Sequence, residues 1–291
     1  FRNGERLRTF APPVVGAPFV RVMDLPPLMG GEDDERPVVA AAAEPWRPMR
    51  LHAGAGAETL TARGDLETAA TVGVLVQPLG PGVRHRWVET AAGWEVVQYR
   101  SATLVGAETW RLTGLLRGQQ GTEVEMQAGA AAGSVAVFLD ERLARAEIGR
   151  NERGLPLICR VGPAGAAPGG AGFREAGFTL QGLYARPWSP AGLIVEAGAE
   201  VWTVRWTPRV RLYGDGWDGE PAGVDPMRFR VQVRDAGAVR RTMEVEGMTV
   251  LYSAAERAAD FPGGVTPTAR IGVAQWGEGF GWGVEAEIGL I

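Results

Sequence analysis

Three closely spaced glycines, Gly114, Gly118 and Gly121, lie in the stretch WRLTGLLRGQQGTE, which runs from Trp110 to Glu123. Glycines in that arrangement can cradle a phosphate on backbone N–H groups. The phosphate loop GxxxxGK[ST] also needs a lysine that reaches the terminal phosphates. No lysine occurs in the chain, and Gly121-Thr122 is followed by Glu123, whose carboxylate would repel a phosphate. A strand over Trp110–Leu116 that leaves its sheet through a tight turn fits better, with glycine supplying the positive φ.

Other groups with chemical potential are few. A nucleophile–base pair can be drawn from Cys159 and either His52 or His85. Cys159 follows LPLI, however, and reads as a buried small apolar residue. One cysteine and two histidines make a Cys/His zinc site or an internal disulfide framework untenable. The acidic run Glu32-Asp33-Asp34-Glu35 reads as a solvated loop rather than a glycosidase pair. YGDGWDGE offers Asp215 and Asp218 without the order of a calcium loop, so turn chemistry is preferred to a bound cation. GEGFGWG has glycine at 277, 279, 281 and 283, which implies either close packing of a second backbone or ring, or an apolar loop that touches a partner. Neither GxSxG nor HExxH occurs. Six arginines, Arg205, Arg209, Arg211, Arg228, Arg230 and Arg234, can share an exposed sheet face. They would meet an anionic surface, or be balanced by acids such as Glu285 and Glu287; the second reading is preferred. No catalytic, cofactor-binding or metal-binding residue is assigned, and the expectation is a protein that is not an enzyme.

The elements that hold these residues are mostly strands. The chain has 291 residues, 45% of them apolar and 22% charged, an ordinary globular composition. All 30 basic residues are arginine, a coding-bias signature that also removes any lysine nucleophile or Schiff base. A net charge of −4 argues against broad nucleic-acid binding. The start at Phe1, in what reads as mid-protein sequence, leads us to expect the C-terminal portion of a longer polypeptide. Residues 1–36, rich in proline and acids, are expected to form an extended arm or linker on a surface, not in a sheet centre.

Residues 37–160 read as a β-rich, barrel-like domain of short strands: TVGVLVQPL with Val72, Val74 and Val76 on one face, WEVVQY, TWRLTGLL and SVAVFL. One helix is expected there, over DERLARAEIG from Asp140 to a stop at Gly149. Residues 161–182 read as a Gly/Ala/Pro-rich connector. From 183 to 291 the alternation is clean. Trp202, Val204 and Trp206 share a face; so do Met227, Phe229, Val231 and Val233; so do Ile271 and Val273; so do Trp282, Val284, Ala286 and Ile288. Such period-two strands imply a two-sheet sandwich. Ser253 and Glu256 form a capping-box pattern for a short helix between strands.

Taken together, DLPPL with RPVVAAAAEPWRP, then WRLTGLLRGQQGTE, then ARPWSP with VRWTPRVRLYGDGW, then YSAAERAADF with VAQWGEGFGWG, resemble a known family. It is the C-terminal part of the tail-tip ("megatron") proteins of gene transfer agents and related siphophage baseplate hubs. The resemblance spans about Asp24 to Gly283 and is most specific in LTGLLRGQQGTE. Two positions depart from the family's pattern, Thr207-Pro208 and Pro262, both at expected turns or strand ends. The resemblance implies a fibronectin-type-III-like terminal sandwich, a homotrimeric hub that closes the tail tube, and contact with other tail-tip and baseplate proteins. It also implies host-envelope contact, passage of exported DNA without a specific nucleic-acid site, and location in a phage-like particle made in a bacterial cytoplasm. Catalysis, cofactors and metals are not implied. The competing reading from another class is a secreted carbohydrate-binding or polysaccharide-active module, with Trp202, Trp206, Trp217, Trp276 and Trp282 lining a cleft.

Overall fold

The computed structural model describes residues 5–9, 18–27, 35–76, 88–90, 92–212 and 225–291. The chain is mainly β and divides into two compact units, Phe1–Pro26 with Asp33–Tyr184, and Pro27–Glu32 with Ala185–Ile291. The first unit holds β1 (Glu5–Thr9), β2 (Phe19–Met23), β3 (Val38–Ala42), β4 (Met49–Gly54), β5 (Thr61–Leu66), β6 (Val72–Leu75), β7 (Val88–Thr90), β8 (Gly93–Gly106) and β9 (Thr109–Gln119). After a short helix, α1 (Glu123–Ala128), come β10 (Val135–Val137), β11 (Ala144–Arg145), β12 (Pro156–Pro163) and β13 (Arg174–Thr179). Three antiparallel sheets result, with orders β10-β6-β1-β9-β8-β7, β11-β3-β2 and β13-β12-β4-β5. The six-stranded sheet curls until β10 lies beside β7, which makes the unit barrel-like.

Among the described residues, two apolar clusters help hold this unit. In one, Val39 and Ala41 of β3 meet Leu51 and Ala53 of β4 and Leu157, Cys159 and Val161 of β12, all nearly inaccessible to solvent. In the other, Leu75, Leu112, Leu115 and Ala136 line the inside of the curled sheet. Burying a leucine or valine side chain in this way contributes about 1.5–3 kcal/mol each.

Four expectations are corrected here. The described segments of residues 1–36 include two strands that belong to sheets and not to an extended arm: β1 sits between β6 and β9 inside the six-stranded sheet, and β2 pairs with β3. Pro18, Pro26 and Pro27 flank β2 rather than interrupt it, so each strand keeps its donors. DERLARAEIG is not helical. Ala144 and Arg145 pair with Val39 and Val38, the Ala146 N–H donates to the Pro37 carbonyl, and Ala146 and Ile148 are both fully buried. Tertiary pairing at period two overrides a good helical propensity. The helix of this unit lies instead at α1. Residues 161–182 are a hairpin more than a connector, since β12 and β13 pair from Pro156–Thr179 to Val161–Arg174. In TVGVLVQPL, Val72 and Leu75 are buried while Val76 is exposed, so the three valines do not share one buried face.

The second unit comprises β14 (Ala191–Glu196), β15 (Val201–Thr207), β16 (Arg228–Asp235), β17 (Ala238–Glu246), β18 (Thr249–Ser253), α2 (Ala254–Asp260), β19 (Ala269–Gly277), β20 (Gly281–Trp282) and β21 (Ala286–Gly289). One sheet has the order β14-β15-β18; the other runs β17-β16-β19, with β20 and β21 both on the far edge of β19. Val204 and Trp206 face Phe229, Val231, Val233, Ile271 and Val273 across the core. This is the two-sheet sandwich that the alternation predicts, and it is fibronectin-type-III-like, as the family resemblance implies. Met227 and Ile288, expected inside, are exposed because they stand at the sandwich's margins.

The helix α2 forms where expected. Ser253 Oγ accepts from the Glu256 N–H at 3.2 Å, and Glu256 Oε2 accepts from the Ser253 N–H at 2.9 Å. The backbone N–H and the hydroxyl of Ser253 hold the Glu256 carboxyl below its ordinary value. A carboxyl lowered in the folded state stabilises above the ordinary value of 4.5 and loses that contribution as pH falls through the lowered one. Ser253→Ala is expected to cost ~1 kcal/mol at neutral pH. In urea titrations the difference from the parent should shrink below pH 4.5.

Candidate functional site

The glycine-rich stretch folds around a buried ion pair. Gly114, Gly118 and Gly121 all have positive φ, at 66°, 57° and 78°, but only Gly121 stands in the turn; Gly114 and Gly118 lie within β9, which runs on past Leu116 to Gln119. At Gly114 a Cβ would lie 2.6 Å from Cβ of Arg100, whose stem occupies that space. At Gly118 the backbone comes close enough to donate to a carboxylate from the neighbouring strand. Glu95 Oε1 accepts from Gly118 N at 3.1 Å and from Arg117 Nε at 2.6 Å, and Glu95 Oε2 accepts from Arg117 Nη2 at 2.5 Å. Both side chains are 0% exposed. Arg117 Nη2 also donates to the Met126 carbonyl at 3.2 Å, which ties β9 to α1. Thr122 Oγ1 accepts from Val96 N at 2.9 Å and donates to the Gln119 carbonyl at 2.8 Å. Burial pushes the Glu95 carboxyl up, while the bonds from Arg117 and Gly118 pull it back.

This arrangement leaves nothing for a ligand. The carboxylate and guanidinium are forked onto each other and sealed from solvent, so the cluster fixes the β8–β9–α1 corner rather than presenting a charge. A half-open groove of about 560 Å³ lies nearby, between Val97–Tyr99 and Ala136–Asp140. Asp140, the one carboxylate in its lining, pairs with Arg142 at 3.4 Å.

Cys159 and His52 are not a catalytic pair. They sit on adjacent strands, but Cys159 lies opposite Ala53 and His52 opposite Arg160, so their side chains point to opposite faces. Cys159 is buried in the core with its thiol pushed up to about 11. His52 packs against Phe173, and burial and Arg50 hold its imidazole below the ordinary value. His85, Glu32, Asp33, Asp34, Asp215, Asp218 and Trp217 lie outside the described residues. Glu35 pairs with Arg150 at 3.0 Å. Among the described residues no three metal-ligating side chains come together.

The other stretches that carry the family resemblance are likewise spent on shape. Asp24 of DLPPL accepts from the N–H groups of Gln181, Gly182 and Leu183 at 2.6, 2.8 and 3.2 Å, which anchors the chain after β13. Pro187 of ARPWSP packs on the GEGFGWG hairpin. A Cβ on Gly277 would lie 2.5 Å from Pro187 Cγ, and one on Gly283 would strike the Pro187 carbonyl oxygen. The Val284 N–H donates to that same carbonyl at 3.1 Å. Close backbone approach, and not an apolar contact loop, accounts for these two glycines.

The six arginines are largely neutralised within the sandwich. Arg205 pairs with Glu196, Arg211 with Asp225, Arg228 with Glu244, and Arg234 with Glu285 and Glu287. Arg209 stacks on Trp188 at 4.9 Å. Arg230 stacks on Trp282 at 5.2 Å, and Arg228 reaches Trp276 at 5.0 Å. Among the described residues, Trp202, Trp206, Trp276 and Trp282 line no cleft. Trp206 is core, Trp202 sets its edge on Tyr252, and Trp276 and Trp282 are covered by arginine. The Glu95–Arg117 pair escaped the sequence reading. Its signal was a charge inside each of two apolar runs, WEVV and LLRG.

Residues 82–137 match the family described as Rcc01698-like, C-terminal. The matched stretch contains β7, β8, β9, α1 and β10, and so the whole buried cluster. No curated protein matches the chain. Domains d3-d4 of the rat CD45 extracellular region match at 15% identity over 40% of this chain and 53% of theirs, with a TM-score of 0.25. The chain thus spans about half of that region. The central fibronectin-III array of RIM-binding protein matches at 11% identity over 95% and 97% of the two chains, also with a TM-score of 0.25. The sandwich assignment rests on strand order and core, not on these two similarities.

Proposed function

We propose that the chain is a structural component of a phage-like tail of the gene transfer agent kind. In this reading it is a distal part of the baseplate hub, which helps close the tail tube and takes part in envelope contact and DNA delivery. Its partners are further copies of itself and other tail-tip proteins, and its place is the particle rather than a catalytic pathway. One observation carries the reading: the match to the Rcc01698-like C-terminal family falls on the segment that holds the most specific resemblance, WRLTGLLRGQQGTE. The use of that segment supports it, because the Glu95–Arg117 pair and the Gly118 N–H maintain a corner of the fold there.

The test is removal of this segment from the gene in a particle-producing strain. Expected are particles with open or incomplete tail tips and loss of DNA transfer. Intact tips with unchanged transfer would overturn the proposal, as would release of sugars from envelope polysaccharide by the isolated chain.

A further inference from the structure

Arg230 differs from the arginines beside it. Trp276 and Trp282 stand opposite each other on β19 and β20, edge to face at 5.1 Å. Arg228 lies over both rings, at 5.0 and 5.5 Å, and Arg230 lies over Trp282 at 5.2 Å. Arg230 pairs across the sheet with Ala274, whose small side chain leaves the guanidinium room to cross β19 and reach that ring. Glu244 is the residue opposite Arg230 on β17, but its carboxylate accepts from Arg228 instead. Arg234 holds Glu285 and Glu287. Among the described residues no acid or other acceptor meets Arg230. Its Nε is buried without a partner, and its accessible donors are the two Nη groups.

We propose that this face docks another polypeptide and that Arg230 anchors it, taking one glutamate or aspartate carboxylate on its Nη groups. Stacking on Trp282 already fixes the plane of the guanidinium, so little side-chain freedom is lost when a carboxylate forks onto it. Half-buried tryptophan and arginine side by side are also what the energetic centres of protein interfaces are made of. The surroundings select the occupant. Glu244, Glu285 and Glu287 share the face, so a polyanion or a doubly charged phosphate meets repulsion there. A single carboxylate instead gains charge-assisted hydrogen bonds from the one guanidinium that lacks them. Arginine already lies over the two indole rings, which leaves a sugar no open ring face to stack on. The inference rests on this face alone and does not depend on the tail reading. A contact between unlike surfaces is compatible with the threefold assembly that the family resemblance implies.

The test uses the full chain and the extended peptide acetyl-Val-Glu-Val-amide, with acetyl-Val-Gln-Val-amide as its neutral control. The readout is the indole N–H resonance of Trp282 in two-dimensional NMR, identified by its loss in Trp282→Phe. The Glu peptide should shift this resonance in a saturable way and the Gln peptide should not. Salt should weaken the response, because the pair is partly exposed. Arg230→Gln should abolish the shift, and Arg230→Lys, which keeps the charge without the fork, should weaken binding severalfold. Arg205→Gln, on the other sheet, should leave it unchanged. The remaining indole resonances report that each variant is folded, and the comparison of the two peptides on the parent needs no variant. An equal response to the Gln peptide, or an undiminished one in Arg230→Gln, would overturn the proposal. So would inorganic phosphate shifting the resonance as far as the Glu peptide does, which would mark a general anion site.

Discussion

Replacing Arg117 with methionine should lower the unfolding free energy by ~3–5 kcal/mol, because it leaves the Glu95 carboxylate buried without its cation. The loss should depend on pH in a defined direction. Burial already pushes the Glu95 carboxyl up, and removing the guanidinium takes away the largest opposing influence. A carboxyl raised in the folded state keeps a proton that the unfolded chain has released. Stability then falls as pH rises from the ordinary value of 4.5 through the raised one. Urea titrations of Arg117→Met should therefore show a decline as pH rises above 4.5 that is steeper than the parent's, whose Glu95 carboxyl is raised less. The double variant Glu95→Leu/Arg117→Met should recover most of the loss, since an apolar pair of similar volume replaces a buried ion pair at little net cost. A single variant that unfolds no more easily than the parent would show that the pair is solvated.

The second large effect belongs to the sandwich. Gly277→Ala places a Cβ 2.5 Å from Pro187 Cγ and 3.1 Å from the Ala185 carbonyl oxygen. Overpacking of this kind costs ~1–3 kcal/mol. Gly279→Ala serves as the comparison. It has nothing within 4 Å but a φ of 78°, so its cost is conformational alone. Pro187→Ala should relieve part of the Gly277→Ala penalty and none of the Gly279→Ala penalty. The expected coupling in the first double-mutant cycle is ~1 kcal/mol. Equal effects in the two cycles would refute the packing explanation for the hairpin's glycines.

Strands with one buried and one solvated face were legible from residue types alone. Phe229, Val231 and Val233 alternate with Arg and Gln, and the structure buries the first set completely. Strands paired through distant partners were not legible. Nothing local distinguishes ERLRT as an inner strand, because its neighbours, β6 and β9, come from far along the chain. The segment after Asp140 failed for the opposite reason: its local signal was strongly helical, and pairing of Ala144 with Val39 overrode it. At the site, positive φ at the glycines was legible in the sequence, but their place inside β9 was not. The acid that Gly118 meets lies on the neighbouring strand, across a register shift between Val96 and Gln98, where no spacing rule reaches.

The position of β1 has a consequence for how the chain is made. Glu5 pairs with Leu112, so β1, which is synthesised before β9, must wait for it before their sheet can close. Contacts of such long sequence separation slow folding, because the loop must be closed before they form. The sandwich needs no such delay, since β16 to β19 largely pair with near neighbours. On the ribosome β1 would lack its β9 partner at least until residues near Gln119 have emerged, and the unit's sheets would complete only when β13 follows, so its edges would be available to other chains during that interval. Slow translation or chaperone binding ahead of that point would protect the first unit more than the second.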